Sequence, residues 1–209
     1  MAIGPAVRRA FGPFEHQITG AYRSIYIDLD DYVAAVRDWV PQAGAILEVG
    51  CGEGAVTERL AIAYPDARIT AIDITPRVGR LYRGPTDRVT FEQRTVQDIA
   101  AESPASFDMV MIADVIHHVP ASLRTDIIGA ARAALAPGGA FIFKEWERTR
   151  TPIHWMCVAS DRWLTGDEVS FLNREEARAL LAESFGPAAV TAERRVRPWR
   201  NNLMMLVSP

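Results

Sequence analysis

The decapeptide Ala45-Ile46-Leu47-Glu48-Val49-Gly50-Cys51-Gly52-Glu53-Gly54 constrains this chain more than any other stretch. Its apolar half reads as a buried strand, and its glycines let the backbone turn sharply and approach a ligand where any Cβ would collide. Residues 55–64 continue as a helix, and a second apolar strand, Ile69-Thr70-Ala71-Ile72, closes on Asp73. Asp73 follows Gly52 by 21 residues, close to the roughly 20-residue spacing at which a carboxylate accepts hydrogen bonds from ribose hydroxyls. Strand, glycine turn, helix and acid-tipped strand make one βαβ unit. They imply a ligand that contains a nucleoside.

Glycine spacing alone leaves two ligand classes open, because Gly50, Gly52 and Ala55 also satisfy the G-x-G-x-x-G/A form that takes dinucleotide pyrophosphate. Glu48 tips the balance. A carboxylate two residues before the first glycine repels pyrophosphate and suits a cofactor carrying an ammonium and a sulfonium. With this feature the segment resembles motif I of the S-adenosylmethionine-dependent methyltransferases of the Rossmann-like class. Thr95-Val96-Gln97-Asp98-Ile99, the run from Phe107 to Val119 and the run from Leu135 to Phe143 agree with that family in order and spacing.

The resemblance covers about residues 45–145. It implies an α/β fold: a single-domain doubly wound seven-stranded sheet, mostly parallel with the last strand antiparallel, and helices on both faces. It implies S-adenosyl-L-methionine as cofactor, held by Glu48, Gly50, Cys51, Gly52 and Gly54, with Asp73 on the ribose. It places Asp98 beside the adenine amino group, Ile74 and Ile99 on the two faces of the ring, and Ala113 where backbone carbonyls meet the cofactor's amino group.

The rest of the chain is organised around that core. Asp30 or Asp31 caps a helix with Val33, Val36 and Val40 on one face, ended by Pro41-Gln42-Ala43-Gly44. Further elements are a helix near 76–82, strands 88–93 and 108–113, a helix over 120–134 and a strand over 140–145. Asn173 and Glu176 have capping-box spacing for a helix through Ser184, which Gly186-Pro187 stops. A hairpin about Pro198-Trp199-Arg200 closes the chain. Residues 1–44 read as an N-terminal cap and helix, 45–145 as the cofactor core, 146–173 as an acceptor-pocket insertion and 174–209 as a C-terminal helix and hairpin.

At 209 residues and a net charge of −3, one domain is expected and no basic excess points to a nucleic-acid partner. The two cysteines, Cys51 and Cys157, show no C-x-x-C spacing, which suits a reducing, cytoplasmic setting. Arg8 and Arg9 precede no apolar stretch of signal type, and no apolar run reaches the roughly 18 residues of a membrane span. Oligomeric state is not legible.

His117 and His118 sit just past the fourth core strand. Neighbours on a helical turn point about 100° apart, so they cannot both face the pocket alike. By resemblance His118 takes the family's packing role, and His117 is the candidate base. Lys144 and Glu145 end a strand at the carboxyl edge, where open α/β sheets place ligands. His154 and Trp155 follow in the insertion, with Tyr22 and Tyr26 in the leader, as candidate acceptor contacts, whereas Trp163 reads as core. No fixed-spacing motif calls for a metal.

The expected activity is methyl transfer to a small-molecule acceptor on oxygen, nitrogen or carbon, mainly by positioning, with His117 as base if the acceptor arrives protonated. Two rivals stand beside it. An RNA or protein methyltransferase is disfavoured because Ala113-Asp114-Val115-Ile116 replaces the Asn/Asp-Pro-Pro-aromatic tetrad. A non-catalytic cofactor-binding subunit would keep the same Glu48, Asp73 and Asp98.

Overall fold

A computed structural model describes residues 24–160 and 169–209. Tyr22 and Trp163 lie outside the described residues. Helix α1 (Leu29–Trp39) begins earlier than its charge pattern suggests: Asp28, not Asp30 or Asp31, is the N-cap, and its Oδ1 accepts the Asp31 N–H at 3.0 Å. Asp28 has the extended backbone a cap requires, while Asp30 and Asp31 already lie in the first helical turn.

The glycine segment folds as read. Strand β1 (Ala45–Val49) runs into the turn, α2 (Ala55–Ala63) follows, and β2 (Arg68–Asp73) lies parallel to β1. No helix forms over 76–82. There the Gly79 N–H donates to the Gly52 carbonyl at 2.9 Å and the Leu81 N–H to Glu53 at 3.0 Å, so the donors a helix would use brace the glycine turn instead.

After β3 (Val89–Gln93) comes α3 (Val96–Glu102), which the sequence reading left as a cofactor segment. Its start is a capping box: Thr95 Oγ1 accepts the Asp98 N–H, and the Asp98 carboxylate accepts the Thr95 N–H. Then follow β4 (Phe107–Ala113), a 3₁₀ turn (Ile116–His118), α4 (Ala121–Ala134) and β5 (Leu135–Trp146). β5 starts before its expected residue 140, and a register shift between Phe107 and Met109 of β4 accommodates the Pro137-Gly138-Gly139 bend. A further helix, α5 (Pro152–Ser160), lies in the 146–173 segment. Asn173 and Glu176 form the expected capping box of α6 (Arg174–Phe185), and β6 (Val190–Val196) and β7 (Asn202–Val207) pair as the hairpin.

The sheet order is β3-β2-β1-β4-β5-β7-β6, with β7 antiparallel to both neighbours and the five core strands parallel. Each face carries its own core. Val33 and Val36 of α1 and Leu60 of α2 pack with Ile46, Met109 and Ile142 on one side. Ile99 of α3, Ile128 of α4 and Leu181 of α6 pack with Leu47, Val110 and Phe141 on the other. Strand order reverses between β1 and β4, the switch point at which such sheets open a crevice beyond their carboxyl ends. Among the described residues, no helix is long and apolar enough to cross a membrane.

Candidate functional site

A cavity of about 1560 Å³ opens at that switch point. Gly50, Gly52, Ile72, Asp73, Ile74, Thr95, Val96 and Gln97 line one end; Val119, Pro120, Ala121, Leu123, Ile127, Val158, Val169 and Ser170 line the other, with Asp114, Val115 and His118 between. Typical single-ligand pockets hold roughly 300–1,000 Å³, so this one has room for two molecules side by side.

The glycine turn is cut to fit its neighbours. Gly50 has φ +77, and a Cβ there would lie 2.1 Å from Val115 Cγ2, so β4's exit can approach the turn only because no side chain intervenes. At Gly52, φ is +52 and nothing stands within 4 Å of a would-be Cβ. Its backbone is open to the cavity. Asp73 does more than end a strand: Oδ2 accepts the Gly52 N–H at 2.8 Å and Oδ1 the Thr75 N–H at 2.9 Å. The carboxylate thus locks the glycine turn, and each oxygen keeps a lone pair for a hydroxyl donor.

Several expected contacts are placed elsewhere. Glu48 is buried on the α1 and α2 side, where it accepts from Thr57 Oγ1 at 2.7 Å, and burial pushes its carboxyl up to about 7. Glu48 is not among the residues that line the cavity. Cys51 and Gly54 are buried behind the turn, and burial, with Glu48 and Asp73 nearby, raises the Cys51 thiol above its ordinary range. Ala113 ends β4 behind the lining residues Asp114 and Val115. Ile99 faces the core with Leu47 and Val110, because α3 buries Val96 and Ile99, three apart, on one stripe. Ile74 is 73% exposed and lines the cavity, as do Val96 and Gln97 but not Ile99. Asp98 is exposed and outside the cavity lining, with its carboxylate in the α3 cap, and the Thr95 hydroxyl, then the Thr95 backbone, lowers its pKa.

The histidine pair is reversed relative to the sequence reading. His117 is buried, its ring stacked on Phe171 with centroids 4.6 Å apart. Its Nδ1 donates to Glu145 Oε2 at 2.6 Å. His118 is exposed and lines the cavity. The cause lies in β5: Glu145 Oε1 also accepts the N–H groups of Val115 and Ile116, at 2.9 and 2.6 Å, which seats the 3₁₀ turn with His117 inward. Glu145, 2% exposed, is therefore a clamp on the cavity wall and not an acceptor contact. Lys144, 1% exposed, pairs with Asp114 Oδ2 at 2.5 Å.

The wall opposite is tied down by Arg124. Its buried guanidinium donates to the carbonyls of Val119 and Ser170, at 2.9 and 2.8 Å, and the Ser170 N–H donates to the His117 carbonyl at 2.8 Å. Sequence reading passed over Arg124, whose only signal was a cation on the apolar side of α4. The insertion does reach the cavity, but through Val158, Val169 and Ser170. Trp155 points away and is 64% exposed, because His154 takes the inward position on α5. His154 Nδ1 accepts from Trp146 Nε1 at 3.1 Å, and burial, then Arg148, lowers its pKa. Tyr26 packs edge-on against Trp146, centroids 5.8 Å apart, outside the cavity lining.

Ligand atoms of Asp114, His117 and Glu145 lie within 4.8 Å of one another, as a metal site would need. Lys144 already pairs with Asp114 Oδ2, and three N–H donors already engage the Glu145 carboxylate.

The fold is of the Rossmann-like type with a cavity at the switch point, and residues 46–139 match the family described as a methyltransferase domain. The fold of this chain is that of the class I methyltransferases. A ubiquinone biosynthesis O-methyltransferase of Xanthomonas campestris pv. campestris (strain B100) is 41% identical over 123 residues, 57% of this chain and 49% of the relative. The chain spans about half the length of the curated relatives it matches. Among solved structures, the S-adenosylmethionine-dependent methyltransferase SibL in its apo form aligns at a TM-score of 0.72 and 18% identity, over 96% of this chain and 60% of that one. A Burkholderia thailandensis 1,6-didemethyltoxoflavin-N1-methyltransferase, solved with 1,6-didemethyltoxoflavin and S-adenosylhomocysteine, aligns at 0.65 and 18% identity, over 97% of this chain and 86% of that one. Those likenesses are of fold.

Proposed function

We propose that this chain transfers a methyl group from S-adenosylmethionine to a small-molecule acceptor, with a hydroxyl as the favoured acceptor group. The observation that carries the reading is the two-ended cavity, one end built on the locked glycine turn and Asp73, the other walled mainly by apolar side chains. The O-methyltransferase relative and the neighbour solved with S-adenosylhomocysteine support it.

The residues present fit that cofactor: Gly52 leaves its backbone open where a side chain would fill the cradle, and Asp73 has lone pairs for two ribose hydroxyls. Ile74, Val96 and Gln97 border the adenine position. When bound, S-adenosylmethionine supplies an electrophilic methyl on a sulfonium. The protein's part is to bind, orient and exclude water. Leu123, Ile127, Val158 and Val169 desolvate an apolar or aromatic acceptor, and His118 meets it at the junction of the two ends. With donor and hydroxyl acceptor bound, the His118 imidazole would take the hydroxyl proton as the oxygen is methylated.

Purified protein is to be titrated calorimetrically with S-adenosylhomocysteine and with NAD, then incubated with methyl-labelled donor and a panel of phenols, followed by mass spectrometry. Binding of S-adenosylhomocysteine but not NAD, with label in a small molecule, is the expected result. NAD binding, or label only in protein or RNA, overturns the reading.

A further inference from the structure

This chain contains 22 arginines and a single lysine, Lys144. A protein that uses arginine for every surface cation keeps its one ammonium almost wholly enclosed, 1% exposed, at the carboxyl end of β5. Lys144 alternates with Ile142, so it lies on the sheet face covered by α1, among Met111, Met204 and Tyr32. A guanidinium is larger and planar, whereas an ammonium on a four-carbon stem is a compact point charge.

Lys144 grips one residue from two sides. Its carbonyl accepts the Asp114 N–H at 2.9 Å, and its Nζ lies 2.5 Å from Asp114 Oδ2. Asp114 has φ +56, a left-handed conformation in which Cβ crowds the following carbonyl and which persists only where the surroundings enforce it. Asp114 lines the cavity with Gly50 and His118, its side chain is 38% exposed, and Oδ1 has no hydrogen-bond partner among the described residues. A partly exposed carboxylate in the lining of a cavity, with one oxygen unpartnered among the described residues, suits a cationic ligand group.

We propose that Lys144 is a positioning residue that holds Asp114 in its left-handed conformation so that Asp114 Oδ1 accepts the ammonium at the amino-acid end of the cofactor. This rests on the methyltransferase reading. It assigns the buried pair to recognition of one part of the ligand, distinct from the nucleoside contacts at Asp73.

The test compares two ligands that share the nucleoside: S-adenosylhomocysteine, which carries the ammonium, and methylthioadenosine, which lacks the whole amino-acid end. Lys144→Met should weaken S-adenosylhomocysteine at least tenfold by calorimetry while changing methylthioadenosine less than about twofold, and Lys144→Arg should not rescue it. Asp114→Asn should show the same selective loss, and it carries the test if Lys144→Met does not fold. Because Lys144 is the sole lysine, an amine-reactive reagent followed by peptide mass spectrometry reads it directly. Asp114→Asn should raise its labelling rate at least tenfold. Equal losses for both ligands, or no loss for either, overturn the positioning role. Failure of the wild-type protein to bind either ligand overturns the methyltransferase reading instead.

Discussion

Removing the Glu145 carboxylate tests how the cavity wall is built. In the folded protein this side chain, 2% exposed, accepts from two backbone N–H groups and from His117 Nδ1, at 2.9, 2.6 and 2.6 Å. Glu145→Ala strands all three donors in the interior. Each buried donor left unsatisfied costs about 1–3 kcal/mol, and losing one partner of a buried charged pair costs about 3–5 kcal/mol. Losses that share one acceptor do not add, which puts the total at about 3–5 kcal/mol. For a chain of this size that is a fall of roughly 6–20 °C in Tm, at about 2–4 °C per kcal/mol. Glu145→Gln keeps Oε1 for the Val115 and Ile116 N–H groups and loses only the anion opposite His117, so about 1–2 kcal/mol is expected. Urea unfolding followed by circular dichroism gives both values, and hydrogen exchange at the Val115 and Ile116 amides locates the loss. If Glu145→Ala stays within about 1 kcal/mol of the parent, or Gln is no milder than Ala, the clamp is not what seats this turn.

Three further outcomes are expected. Asp73→Ala should weaken S-adenosylhomocysteine by about 1–3 kcal/mol in calorimetry and also speed exchange of the Gly52 amide, whose acceptor it removes; unchanged affinity would discard the ribose assignment. His118→Asn should lower turnover roughly 10²–10⁴-fold with cofactor affinity retained, whereas His117→Asn should act first on melting temperature; the opposite pattern would restore His117 as the base. Glu48 has a folded-state pKa of about 7 against an ordinary 4.5, so between those values the native state holds the proton that the unfolded chain has released, and stability falls as pH rises from about 5 to 7. Glu48→Gln should flatten that part of the profile in urea midpoints taken from pH 5 to 8, and an unaltered slope would show that Glu48 is not its source.

The relation between sequence and site differs from residue to residue. Gly50 and Gly52 were legible because their conformations are local: a turn between a strand and a helix needs them whatever surrounds it. The capping box of α6 was legible for the same reason, and that of α3 was equally local but was absorbed into the cofactor segment. The expected helix at 76–82 failed because the Gly79 and Leu81 donors were claimed by Gly52 and Glu53, 27 and 28 residues earlier in the chain.

Facing, by contrast, is a property of the packed sheet. Which of two adjacent histidines meets the cavity depends on Glu145, 28 residues from His117 on another strand, and no periodicity in Ile116-His117-His118 carries that information. Trp155 and His154 were likewise paired by sequence and separated by α5, which turns one inward to Trp146 and the other to solvent. Lys144 read as a strand-end cation until the parallel register set it beside Asp114. The sequence by itself determined the order of strands, the glycine turn and its acid, since each follows from short-range backbone geometry and apolar patterning. Tertiary structure alone decided which side chains at the strands' carboxyl ends line the cavity and which are consumed in holding it, because a buried charge takes whatever partner the neighbouring strand brings within reach.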